Sequence, residues 1–320
     1  MIWFTWRQHR MEAISAGVLL LLIVCVVVIT GLSIRNLYDQ SGAAKCVLPT
    51  VQCFQSLANF NSQAMTKAFG SSTFYNLFSI LLLALPPLVG VFLGAPAGAQ
   101  ELEQGTYRLV WTQGVSWYRW LITKISLLSI ATLCAFTFLF VLLSWWSQPL
   151  SNVLTTIWPF YDVRGIVLPA YALFSFVLGF AVGILLRRTV PAMAIALVVF
   201  IVVRILIEVF WRPYFLPPLH FDYSISSPSA QIPAQSWIIA QETIDRHSNV
   251  VPDSATAVCN STVSASDLAA CFDRYGFRFR TVYQPENRFW LFQGFETGIY
   301  LLLTVGFFVL SYWWMKHKII

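Results

Sequence analysis

Three charged side chains fall well inside runs that are otherwise apolar enough to cross a bilayer, more than one turn from the inner ends: Arg204, Glu208 and Glu296. A lone Arg near the centre of a membrane helix costs roughly +2.5 to +3.5 kcal/mol on insertion scales, so each such charge needs a partner or a purpose. Arg204 and Glu208 are four residues apart, on one face of a helix, where an ion pair offsets part of that cost. At 1.5 Å per residue, Arg204 lies roughly 20 Å along its span from Pro191, and Glu296 about 9 Å inside the start of the last span. The three are expected to share a depth and to form one polar cluster. Two roles stay open for it: a structural pair with Glu296 reaching for the interface, or a group that gates or touches cargo.

A second constellation lies between the second and third apolar runs. It reads Glu101-Leu102-Glu103-Gln104-Gly105-Thr106-Tyr107-Arg108 and continues through Trp111, Ser116, Arg119 and Lys124. Two carboxylates suit the opening of a short helix, Gly105 breaks it, and the basic residues anchor the next span at an anionic surface. Catalytic motifs are missing. The chain has no Gly-x-x-x-x-Gly-Lys-Ser/Thr to cradle nucleotide phosphates, no His-Glu-x-x-His and no Gly-x-Ser-x-Gly. The four histidines, His9, His220, His247 and His317, are scattered singly and suggest no metal site. No cofactor is expected in this chain. Asn260-Ser261-Thr262 fits a glycosylation acceptor in a host that modifies such loops.

Composition says which elements must hold these residues. Hydrophobic residues make up 58% of the chain and charged residues only 11%, with a mean hydropathy of +0.68; these values lie outside the soluble range. Six runs reach the roughly 20 apolar residues a span requires: Ala13–Leu32, Phe74–Leu93, Trp120–Trp146, Gly165–Leu186, Val190–Trp211 and Phe289–Trp314. The first is too long for a signal peptide and lacks a small-x-small cleavage site. With the N-terminus inside, the short inner segments carry nine Lys/Arg (Arg7, Arg10, Arg108, Arg119, Lys124, Arg187, Arg188, Lys316 and Lys318) against three carboxylates, Glu12, Glu101 and Glu103. Raw basic counts are nearly equal on the two sides, so the density in short loops sets the orientation, with both termini cytoplasmic. The net +6 is therefore read as membrane orientation and not nucleic-acid binding.

Cysteines agree with that orientation. Cys25 and Cys134 fall inside spans, whereas Cys46, Cys53, Cys259 and Cys271 fall in the two large outer loops, in an oxidising compartment. Four cysteines allow three connectivities. The close pairs Cys46–Cys53 and Cys259–Cys271 are favoured, with free thiols as the alternative.

The chain divides into residues 1–12, amphipathic with Trp3, Phe4 and Trp6 beside Arg7, Gln8, His9 and Arg10; residues 13–211, holding spans one to five and the inner loop 95–119; the outer loop 212–288; and residues 289–320, with the last span. Pro86-Pro87 with Gly90 and Gly94 should kink span two midway. Arg187-Arg188-Thr189 is so short that spans four and five must be antiparallel neighbours. In the outer loop, helices are expected at Gln235 to about His247 and from Ser266 to Tyr275, with an extended piece at Phe277–Tyr283.

The Glu-x-Glu-x-Gly-Thr pattern, followed by Ser116-x-x-Arg119 and Lys124, resembles the cytoplasmic loop of the type-2 ABC transporter permease family. Thr5-Trp6-Arg7-Gln8-His9-Arg10 resembles the family's interfacial elbow helix, and Gln284-Pro285-Glu286-Asn287-Arg288-Phe289-Trp290 the start of its last span. An outer cap between the last two spans also occurs in the G subfamily of ABC exporters. The resemblance implies an all-α membrane protein with six transmembrane helices, an elbow, a coupling helix and a small extracellular cap, as in type V exporters. It implies an exporter subunit of the plasma membrane that moves an amphipathic, lipid-like, drug-like or peptide cargo by alternating access. ATP and Mg would be bound by a partner ATPase dimer, and the permease would pair with itself or with a related permease. Glu101, Glu103, Gly105, Thr106, Arg108 and Arg119 would form the ATPase contact. Trp117-Tyr118 departs from the common form, in which a polar residue or Pro often precedes the Arg. Two other classes stand beside this reading: a membrane-embedded enzyme using groups such as His220 and Asp222, and a non-transporting sensor or immunity component.

Overall fold

The computed structural model describes residues 2–45, 51–105, 116–154, 157–224, 236–252, 259 and 265–318. The chain forms two compact units. One comprises residues 1–153, 160–207 and 293–320, and the other residues 154–159 and 208–292.

The first unit is helical. Its elements are α1 (Ile2–Gln40), α2 (Val51–Phe69), α3 (Ser72–Val89), a π-helical stretch Gly90–Gly94, α4 (Ala95–Glu103), α5 (Trp117–Leu154), α6 (Val167–Leu186), α7 (Thr189–Ile205) and most of α9 (Phe289–Lys318). Among the described residues, six helical stretches are long and apolar enough to cross a membrane: Ile14–Gln40, Thr73–Glu103, Trp117–Val153, Val167–Leu186, Thr189–Tyr214 and Glu286–Lys318. These are the six expected runs with shifted ends: most are longer, while the fourth begins two residues later than expected. Residues 2–12 are helical and run without a break into the first span.

The fourth span, α6, is apolar on every side, which is the pattern of a helix surrounded by others. It is 94% buried, against 22–39% for the other five, so the unit is built around it. Its packing against span two depends on small residues. Gly90, Gly94 and Gly98 recur every four residues on one helix, facing Ser175, Gly179 and Gly183 on α6. A Cβ at Gly94 or Gly98 would run into the carbonyl oxygens of Phe176 or Phe180, and one at Gly179 into that of Gly90. The helices thus meet backbone to backbone, as small-xxx-small seams allow in membranes. Pro86 and Pro87 lie within α3 without ending it. The two missing donors are followed by the change to π-helical winding at Gly90–Gly94.

Larger side chains fill the remainder. Ile23, Val27 and Ile34 of α1, Phe60 and Ala64 of α2, Phe78 and Leu82 of α3, and Leu139, Leu143 and Trp146 of α5 form one apolar cluster. Trp146 Nε1 donates to Thr30 Oγ1 at 3.1 Å, satisfying the indole inside it. A second cluster joins Leu121 and Ile125 of α5, Phe176, Phe180 and Ile184 of α6, and Met315 of α9.

The second unit corrects two expectations. Gln235 to His247 was expected as a helix, but Trp237–Ile244 is strand β2. Its three isoleucines, Trp237 and Thr243 favour a pleated surface, and it pairs antiparallel with β3 (Arg278–Gln284). β1 (Leu219–Tyr223) pairs with the other edge of β3, giving the order β1-β3-β2. The chain is therefore predominantly and not wholly helical. Helix α8 (Ala265–Tyr275) lies close to the expected 266–275, and β3 close to the expected extended piece. Cys259 and Cys271 form a disulfide. The other expected pairing involves Cys46, outside the described residues.

Candidate functional site

Two polar clusters stand out in the helical unit. The first gathers where α4 ends. Glu101 points inward and is 4% exposed, and its Oε1 lies 2.8 Å from Lys124 Nζ, itself 2% exposed. The ammonium also lies 5.2 Å from the centroid of the Trp120 ring. Two residues further along, Glu103 Oε2 accepts from the backbone N–H of Thr189 at 2.9 Å and from its hydroxyl at 2.6 Å. Arg187 takes a left-handed conformation, φ 54°, where glycine usually closes a helix, and its guanidinium donates to the Lys318 carbonyl at 2.9 Å. The end of α4 is thus tied to α5 and to the start of α7, and the α6–α7 turn is tied to the end of α9.

This cluster refines what the sequence suggested for the loop. The helix does not open at Glu101. It begins at Ala95 as a continuation of span two and ends after Glu103, where Gly105 turns the chain at φ 69°. Glu101 is engaged and buried, so its side chain presents no carboxylate at the surface of this chain. Glu103, Gln104, Gly105 and Arg119 are exposed. Thr106 and Arg108 lie outside the described residues.

The second cluster lies toward the other end of α7. Arg204 reaches Asp162 Oδ1 at 2.7 Å and Glu296 Oε1 at 3.7 Å. Its guanidinium carbon sits 4.0 Å from the centroid of the Tyr171 ring. Tyr171 donates its hydroxyl to Glu296 Oε1, and Glu296 is fully buried. Gln293 stitches the neighbourhood together: its Oε1 accepts from the Val167 backbone N–H at 3.1 Å, and its Nε2 donates to the Tyr161 carbonyl at 2.8 Å. Gly165 leaves room for this amide, since a Cβ there would collide with it. Helices α6, α7 and α9 and the turn after α5 each contribute a member. Arg204 and Glu296 share the cluster, as their estimated depths suggested. Asp162 and Tyr171 were missed, because one lies in a polar turn and the other reads as an aromatic within an apolar span. Glu208 lies in the second unit, its carboxylate 3.7 Å from Arg212.

In the second unit, Arg280 grips Asp222 with two parallel bonds of 2.8 and 2.9 Å. The guanidinium holds the Asp222 carboxyl below its ordinary range, and Asp222 in turn raises Arg280. A carboxylate so clamped takes up protons poorly and is ill suited as a general base. Among the described residues, no group of three His, Cys, Asp or Glu could hold a metal ion.

A family model described as ABC-2 membrane transporter related matches residues 17–212. The match takes in nearly all of the first five spans and the loop after span two. No curated protein and no solved structure matches the chain.

Proposed function

The chain belongs to the ABC-2 membrane transporter related family, and on that premise we propose that it is the membrane subunit of an ATP-driven exporter. Its place as a multi-pass membrane permease component rests on the family and on the six apolar helices. Beyond that, a separate ATPase dimer holding ATP and Mg docks at the α4 end. Two copies, or one copy and a related permease, bracket the pathway. Residues 2–12 serve as the elbow at the inner interface, both termini face the cytoplasm, and residues 212–288 are the outer segment. Cargo of amphipathic character moves outward as the subunits alternate between inward- and outward-open forms. Such coupling requires only that ATPase binding favour one form over the other.

The observation that carries this reading is the wiring of the α4 end. One short helix, continuous with span two, is bonded to α5 through Glu101–Lys124 and to α7 through Glu103–Thr189. A partner pressing on this end acts on several spans at once. Within the proposed contact, Glu101 positions α4 from inside, while Gly105, Thr106, Arg108 and Arg119 belong to the docking surface and Glu103 to both. The test is co-elution of an ATPase with the detergent-solubilised chain. Arg108→Glu with Arg119→Glu should abolish it while the helical circular dichroism signal is kept. Full-stoichiometry co-elution with the double variant would overturn the docking assignment.

A further inference from the structure

One helix joins the two polar clusters. At its N-terminus, α7 lacks a side-chain cap of its own: Arg188, the N-cap residue, makes no side-chain bond to the first turn. The carboxylate of Glu103 supplies the cap from outside, binding both the N–H and the hydroxyl of Thr189. An anion there satisfies an orphan donor and faces the positive end of the helix dipole. Roughly 22 Å further along the same helix, at 1.5 Å per residue, Arg204 enters the second cluster. Between the two, α7 buries only Ala192, Ala196 and Phe200. Two alanines and one ring form a narrow stripe, while Val190, Ile195, Val198, Ile201 and Val202 point away from the unit. This stripe lies on α6, where Phe200 stacks on Phe174 with ring centroids 6.0 Å apart, and the polar bonds hold α7 at its two ends.

We propose that Glu103 is a positioning residue: by capping α7 it sets where Arg204 stands against Asp162, Tyr171 and Glu296. Displacement of the α4 end is then passed along α7 as along a rod, and the Arg204 cluster loosens or tightens in response. Glu101 has the complementary task of fixing α4 to α5 through Lys124. Only the source of the displacement rests on the ATPase reading given above; the link between the clusters does not depend on it.

Hydrogen–deuterium exchange on the full-length chain in lipid nanodiscs, without any ATPase, tests the link. Glu103→Ala removes the cap, Glu103→Gln keeps an oxygen acceptor without charge, and Thr189→Val removes only the hydroxyl. Exchange over residues 160–171, which hold Asp162 and Tyr171, should rise on the order of tenfold in Glu103→Ala, the loss expected of a charge-assisted bond. It should rise less in the other two variants. A cap with a merely local role would speed exchange over residues 186–195 and leave 160–171 at wild-type rates, and that pattern would overturn the proposal. If Glu103→Ala fails to fold, the same comparison in Glu103→Gln and Thr189→Val decides. Loss of ATPase co-elution would sink the docking reading and leave this result unaffected, so the two can fail separately.

Discussion

Replacing Gly179 by Ala sets two effects of opposite sign against each other. Helix propensity favours Ala over Gly by about 0.8–1 kcal/mol in a helix interior. Packing opposes it, because the new Cβ would meet the Gly90 carbonyl and, at 3.0 Å, the Ala95 backbone nitrogen. Both neighbours are backbone and cannot rotate away, so the two helices must separate. Overpacking of this kind costs about 1–3 kcal/mol, and a rigid seam lies at the upper end. The net loss is then about 2 kcal/mol, or a fall of about 4–8 °C in melting temperature on the scale of chains this large. Gly306→Ala is the matched control. It too lies within a long helix, but nothing stands within 4 Å of its added Cβ. Propensity alone operates there, and the midpoint should rise by about 2–4 °C. Intrinsic tryptophan fluorescence during thermal unfolding in one detergent reads both variants. A Gly179→Ala midpoint at or above wild type would refute the backbone-contact seam between spans two and four.

The buried ion pair makes a second prediction. Glu101→Ala leaves Lys124 without its carboxylate partner and should cost about 3–5 kcal/mol, whereas Glu101→Met with Lys124→Met should recover most of the thermal stability. Removing the bridge between Cys259 and Cys271, which are 12 residues apart, by a double change to Ser should destabilise its segment by about 3 kcal/mol. Limited proteolysis would show the loss as faster cleavage confined to residues 208–292. The Asp222–Arg280 pair predicts an acid limb. Since folding lowers the Asp222 pKa, its contribution is fully present above the ordinary carboxylate range and disappears as pH falls through the folded value. Exchange protection over residues 219–223 and 278–284 should therefore decline below about pH 4 in the wild type. Asp222→Asn should be less protected at neutral pH and lack that decline.

The six spans were legible because length and hydropathy identify membrane helices without tertiary information, and their counterparts in the structure differ only at the ends. Positions at which the partner comes from a distant element were harder to read. Arg204 was offered Glu208 by spacing along one helix and Glu296 by estimated depth, and a partner in a turn is visible to neither argument. Arg204 pairs with Asp162 at 2.7 Å, brought there by the turn between α5 and α6. Glu101 and Glu103 looked alike in the motif, yet one faces inward to Lys124 and the other caps α7. The seam between spans two and four was half visible: Gly90 and Gly94 drew notice beside the prolines. Gly179 and Gly183, also four apart, were a signal that could have revealed the other face. Trp237–Ile244 was misread because a polar loop with a few apolar residues supports a helix or a strand equally well until its β3 partner is known.

The most direct test of the central claim is purification of the full-length chain from its native membrane under mild conditions, followed by identification of what co-elutes. The account predicts a nucleotide-binding subunit carrying Gly-x-x-x-x-Gly-Lys-Ser/Thr in fixed stoichiometry with this chain, and ATP hydrolysis by the complex but not by the chain alone. A chain that purifies from native membranes with no such subunit, in nanodiscs as in detergent, would contradict its assignment as a permease driven by a separate ATPase.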